Sequence, residues 1–258
     1  MADSTALLAH LRSLAAPAVP RQADSRPVEA WLGEGLAPAQ LHEVFAFEAD
    51  DGPSGAGFAI ACALAADAMP LLWLRTEASE RQGGRLHATG LAELGLDAST
   101  LLLVLVADEA ALLRAAADAA RCPGLGTLLI ESWGRAPGLD LTATRRLMLA
   151  AESSGVTILS LRVAAEPVPS AAATRWRVTA APSRALEADA PGGPAFQVEL
   201  LRRRGGHAGL GWCVEWNRDT RTFQDGAFGP AALSGAGLPL APGGAAADRA
   251  PASVRRTG

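Results

Sequence analysis

The chain has 258 residues, with 23 basic and 27 acidic side chains, so its formal charge is −4 at pH 7. Every basic residue is an arginine, and the sequence holds neither lysine nor tyrosine. Chemistry that needs a lysine is therefore excluded: the phosphate-binding lysine of a P-loop, a Schiff base, or a lysine general base.

Residues 5–14 (TALLAHLRSL) place Leu7, Leu8, Leu11 and Leu14 on one face of a short amphipathic helix, and a Pro-bearing connector at 16–27 sets it apart as an arm. Residues 41–47 (LHEVFAF) read as a strand, 50–57 (DDGPSGAG) as a Gly-rich turn and 58–67 as an Ala-rich helix. The alternation repeats with a buried strand at 71–74 (LLWL) and a segment carrying Leu86, Leu91 and Leu94 at helical spacing. Residues 101–106 (LLLVLV) read as the clearest central strand, followed by a helix over 108–120 with Asp108 and Glu109 in its first turn. A strand at 127–130 (TLLI), a helix at 141–153 capped by Asp140 or Thr142, and a strand at 156–163 complete the series.

Five apolar strands separated by helices predict a doubly wound, mostly parallel α/β sheet covered on both faces. Three strand-like runs then follow without helices, at 174–179, 195–201 and 211–216, and predict an antiparallel extension on the sheet edge. From 224 to 258, Gly, Ala and Pro dominate and no periodicity survives, which reads as a disordered tail. The expected organisation is an N-terminal helix and linker (1–27), an α/β core (28–223) and the tail (224–258). No run approaches the roughly 18 apolar residues of a membrane helix, and the expectation is a soluble, cytoplasmic protein.

Charge is uneven along the chain. Residues 1–132 hold 8 arginines against 17 acids, whereas residues 133–221 hold 12 against 8. The three cysteines (Cys62, Cys122, Cys213) and four histidines are scattered, so buried thiols are expected and neither a disulfide framework nor a zinc site.

A strand, a Gly-rich turn and a helix form the local context of a P-loop. With Ser54 and Gly55 as the anchor, the lysine and hydroxyl positions are held by Ala56 and Gly57, and neither can hold phosphate or Mg²⁺. Glu77 follows the second strand and Glu131 follows TLLI, both at the carboxyl edge where such sheets place ligands. Arg202, Arg203 and Arg204 sit together at a strand end, where guanidinium forks suit phosphate or an acidic partner, or simply solvent. Arg145 and Arg146 lie on a helix whose Leu141, Leu147 and Leu149 are expected to face inward. Arg175 and Arg177 flank Trp176 on a strand, so the arginines take one face and Trp176 the other; arginines beside an aromatic ring suit single-stranded nucleic acid, but Trp176 is expected to face the core. Trp133 suits either partner docking or packing over the sheet edge, and Trp31 a subunit contact or a clip for the arm. His42 reads as a satisfied core histidine.

The order of these elements resembles the ImuA family, RecA-like proteins of the bacterial DNA-damage (SOS) response. The resemblance runs over residues 31–223 and is carried by 41–44 (LHEV), 140–147 (DLTATRRL), 170–178 (SAAATRWRV) and 199–206 (ELLRRRGG). It implies a RecA-like fold with a degenerate P-loop formed by Ser54, Gly55, Ala56, Gly57, Glu77 and Glu131. In that likeness Glu77 takes the place of the catalytic glutamate and Glu131 that of the Walker B acid. Arg202 and Arg204 take the two basic positions of an element that reaches a neighbour's nucleotide. Residues 132–139, with Arg135, and 164–172 resemble shortened versions of two DNA-binding loops. The resemblance further implies a non-catalytic accessory subunit of a mutagenic translesion-synthesis complex, without cofactor. Its partners would be an ImuB-type Y-family polymerase homologue and an error-prone C-family polymerase, with RecA and single-stranded DNA (ssDNA) as further candidates. The alternatives are a weak, partner-dependent ATPase and a SulA-like inhibitor of cell division.

Overall fold

The apolar runs become strands in the order expected. A computed structural model of the chain describes residue 32 and residues 36–190, 192–206 and 208–226. The predicted arm at 5–14, its linker, Trp31 and the tail beyond 226 lie outside the described residues. The first five strands are β1 (Leu41–Ala46), β2 (Leu71–Thr76), β3 (Leu101–Val106), β4 (Thr127–Trp133) and β5 (Thr157–Val163). Helices α1 (Gly52–Ala65), α2 (Glu77–Gly83), α3 (Ala88–Glu93), α4 (Glu109–Ala119) and α5 (Leu141–Ser154) connect them. Then come β6 (Thr174–Ala180), β7 (Ala195–Arg203), β8 (Leu210–Asn217) and β9 (Thr222–Asp225). All nine join one sheet in the order β3-β2-β4-β5-β1-β6-β7-β8-β9.

Local chemistry accounts for the helix limits. Asp108 Oδ1 accepts the Ala111 N–H at 2.7 Å and Asp140 Oδ1 accepts the Ala143 N–H at 2.8 Å, each satisfying an orphan donor at a helix start. Gly155, at φ 86°, ends α5 in the left-handed conformation that glycine adopts without steric cost.

Alternation along each strand sorts the core into two layers. Val44, Trp73, Leu129, Leu159 and Leu161 face α1. Leu41, Leu74, Leu128, Ile130 and Ile158 face α4 and α5, where they meet Leu112, Ala116, Leu147 and Met148. The α1 layer continues across the late strands through an aromatic cluster. Phe58 lies 5.5–6.1 Å, centroid to centroid, from Trp176, Phe196 and Phe223. Close approach of α1 to the sheet needs Gly55, since a Cβ there would stand 2.8 Å from Leu161 Cδ1.

Several expectations are corrected. LLLVLV is the outer edge strand and not the centre of the sheet, and its Leu102, Leu103, Val104 and Leu105 are 37–49% exposed. A continuous apolar run cannot by itself tell a doubly covered strand from an uncovered edge. The first of the late strands, β6, pairs parallel with β1, so the antiparallel extension begins only at the β6–β7 pair. Leu141 and Leu149 are 51% and 57% exposed, which leaves Leu147 as the inward leucine of the three. Cys122 is exposed, while Cys62 and Cys213 are buried as expected. The core boundary drawn at 223/224 falls inside β9.

Candidate functional site: the carboxyl edge of the sheet

The Gly-rich segment is not a loop. Residues Ala49–Asp51 make one 3₁₀ turn and α1 begins at Gly52, so Ser54, Gly55, Ala56 and Gly57 are all helical. A phosphate cradle needs backbone N–H groups converging on one point, and helical geometry aligns them along the axis instead. Gly55 and Gly57 serve packing, the second against Phe196 at 3.4 Å from its would-be Cβ. At the helix start, the Trp133 ring comes within 3.3 Å of where a Gly52 Cβ would stand, and its Cζ2 within 2.5 Å of where a Gly83 Cβ would stand. The indole therefore fills the space over the start of α1. Asp51 Oδ1, next to it, accepts the Ala180 N–H at 3.1 Å.

Glu131 is buried beneath this ring. Its Oε1 accepts from Arg75 Nη2 at 2.9 Å and from Trp133 Nε1 at 2.7 Å, and its Oε2 accepts from Trp73 Nε1 at 2.9 Å. Arg75 also donates to the carbonyls of Ser79 and Gly84. The Glu131 carboxylate is bound by three convergent donors, one of them a buried guanidinium, and is 3% exposed, so it is closed to further ligands. Glu77 directly follows β2 and is the first residue of α2. Its side chain is 61% exposed and faces Arg81 at 3.8 Å. The two acids thus stand in opposite environments. Among the described residues, no group of three or more His, Cys, Asp or Glu side chains is placed to hold a metal ion.

The arginine triplet does not act as a unit. Arg202 and Arg203 belong to β7, and Arg204 begins the following turn. Arg202 Nη1 donates to the Ser170 carbonyl at 3.2 Å, while Arg204 is exposed. Arg135 is exposed in the segment after β4. Of the pair flanking buried Trp176, Arg175 is bound to Glu43 at 2.6 Å, and Arg177 lies 5.1 Å over the Phe47 ring and 3.9 Å from Glu199. Trp133 packs at the sheet edge, the second of its two expected roles. His42 is fully buried between Thr174 Oγ1 and the Ala37 carbonyl, at 2.7 and 2.9 Å. Burial outweighs the Ala37 hydrogen bond and lowers its pKa to about 4.

On the sheet face toward α4 and α5, the structure assembles a polar cluster that the sequence reading missed. Glu43 Oε2 accepts from Ser170 Oγ at 2.8 Å and from Arg175 Nε. Arg175 also donates to Ser170 Oγ and the Val168 carbonyl. Arg162, on the neighbouring strand, is 2% exposed. Desolvation lowers its pKa from the usual guanidinium value, with Glu43 and Glu109 opposing and Arg175 adding to the effect. The available signal was a charged residue inside each apolar strand, Glu43 in LHEVF and Arg162 in TILSLRV.

No family model matches the sequence. Two strains of Caulobacter vibrioides carry curated relatives named Protein ImuA, each 38% identical over 141 residues, which is 50% of this chain and 56% of theirs. The chain thus spans about half the length of the curated relatives it matches. The crystal structure of the RadB recombinase superposes with a TM-score of 0.52 and 14% identity, covering 78% of this chain and 96% of that one. SulA from Pseudomonas aeruginosa matches at 24% identity over 48% of this chain and 97% of its own, with a TM-score of 0.33, too low to bear on the fold. Among the described residues, no helix is long and apolar enough to cross a membrane. By sequence the chain is related to the ImuA proteins over that shared stretch, and its fold is RecA-like.

Proposed function

We propose that the chain is a non-catalytic, RecA-like accessory subunit of the DNA-damage-induced, mutagenic translesion-synthesis complex, acting through contacts with an ImuB-type Y-family polymerase homologue. The observation that carries the non-catalytic reading is the closed Glu131 site. Its carboxylate is engaged by Arg75, Trp73 and Trp133, and the Trp133 ring occupies the space above Gly52. Phosphoryl transfer depends on positioned cations and a metal held at that acid. In this chain the phosphate lysine is missing, the cradle is helical, and the acid holds indoles and a guanidinium. The damage-response role rests on kinship with the ImuA proteins, and the core is proposed to run from residue 28 through the end of β9. Error-prone C-family polymerase, RecA and ssDNA are further contacts within this reading.

The test is co-purification of the full chain with the ImuB-type protein of the same genome, together with titration by a fluorescent ATP analogue. Retention of the partner and no saturable nucleotide binding at millimolar concentration are expected. Saturable binding with hydrolysis lost in Glu77→Gln would replace this reading with that of a weak ATPase. Failure to retain the partner would remove its assembly half.

A further inference from the structure

Ser132 and Arg162 stand opposite each other in the β4–β5 register, at the carboxyl edge and on the face toward α4 and α5. The Arg162 Nε and Nη1 and the Ser132 Oγ are buried and have no hydrogen-bond partner. Buried donors are rarely left unmade, because losing water without replacing it is costly. Of the two carboxylates whose charge reaches Arg162, Glu43 is already bound by Arg175 and Ser170, and Glu109 accepts the Gly138 N–H.

Arg162 lines a cleft of about 680 Å³ between residues 134–141 and 164–169. The cleft walls are mostly apolar, including Pro137, Leu141, Ala165 and Val168, and Leu141 and Val168 are 51% and 40% exposed. Its remaining charges are Arg135 against Asp140 and Glu166, and no aromatic side chain lines it. A nucleic-acid strand needs a track of cations and rings on which bases stack, and this lining offers neither. An anion-binding floor with apolar walls instead suits a carboxylate carried between apolar side chains.

We propose that this cleft is a peptide-docking site that receives an Asp or Glu side chain of a partner protein against Arg162, with the apolar neighbours of that residue on Leu141 and Val168. The site follows from the local geometry and holds whichever complex the chain serves.

The test is selection of linear peptides from a random display library on the full chain, followed by fluorescence anisotropy with the best binder. Enriched peptides are expected to share one acidic residue with apolar neighbours. Changing that acid to its amide weakens binding about thirtyfold or more, the effect of removing one member of a buried charged pair. Leu141→Glu and Val168→Glu, at exposed positions that leave folding intact, weaken it at least about tenfold by repulsion and loss of apolar contact. Arg162→Met abolishes it, provided its circular dichroism matches the parent. Failure to enrich peptides, enrichment without an acid, or affinity unchanged in the wall variants would overturn the proposal. Displacement of the peptide by a thymidylate 20-mer would also overturn it and assign the cleft to ssDNA.

Discussion

Replacing Glu131 with glutamine tests whether the acid under Trp133 is structural. The Glu131 and Arg75 side chains are 4% and 2% exposed and meet at 2.9 Å. Glutamine keeps the shape but removes the charge, and it turns an –NH₂ group toward at least one of three donors. The Arg75 guanidinium is left buried without its counter-ion, a change that typically costs about 3–5 kcal/mol. With a urea m-value of about 2–3 kcal/mol/M, the unfolding midpoint should fall by roughly 1–2 M. Trp73 and Trp133 touch the substituted group, so their fluorescence reports both the local change and the global transition. The double variant Glu131→Leu, Arg75→Met should recover much of the loss, because apolar replacement of a whole buried pair is often neutral. A midpoint shift below about 0.3 M for Glu131→Gln would refute the reasoning, since a carboxylate held open for a metal gives up little stability when neutralised.

Three further outcomes follow from particular residues. His42 has a pKa near 6.5 when unfolded and about 4 when folded. The unfolded state therefore binds the extra proton between these values, and stability falls by about 1.4 kcal/mol per unit as pH drops from 6.5 toward 4. Urea titrations should show His42→Gln losing this slope, and an identical slope in both proteins would remove His42 as its source. Burial raises the Cys62 and Cys213 thiols above their usual pKa, whereas Cys122 is exposed. A thiol-reactive disulfide at pH 8 should thus label one cysteine per native chain quickly, and Cys122→Ser should abolish that fast phase. The double variant Leu103→Lys, Leu105→Lys charges an exposed edge strand, so light scattering should show less self-association, with stability changed by no more than about 1 kcal/mol.

The core strands were legible because each is a short apolar run bounded by turn residues, and a parallel sheet buries such runs on both faces. Strand order was not legible: β3 carries the most apolar sequence and still ends at the edge, because nothing in LLLVLV records how many neighbours it has. The Gly-rich segment misled for a related reason. Glycine suits a phosphate loop, but it equally suits a helix pressed against a sheet, and Leu161 at 2.8 Å from the would-be Gly55 Cβ decides for the helix. The Glu131 network joins residues up to 58 positions apart, and the Glu43–Arg175 bond spans 132. No local pattern encodes such pairs. What the sequence did offer was a polar residue breaking an apolar strand, at Glu43, Arg75, Glu131 and Arg162.

Strand alternation explains why the two polar groups at this edge have different fates. Glu131 and Trp133 point to the α1 side, and Ser132 between them points to the other, where its register partner is Arg162. On the α1 side, Trp133 reaches back along its own strand and donates to Glu131, and Arg75 completes the closure from β2. On the other side, the Ser132 Oγ and the Arg162 Nε and Nη1 have no hydrogen-bond partner, and a cleft opens beside Arg162. A RecA-like sheet presents its chemistry at the carboxyl edge, so sealing one face and leaving the other open changes which face is able to take a ligand. Mutations that reopen the Trp133 side should therefore affect stability before binding, while those in the Arg162 cleft should do the reverse.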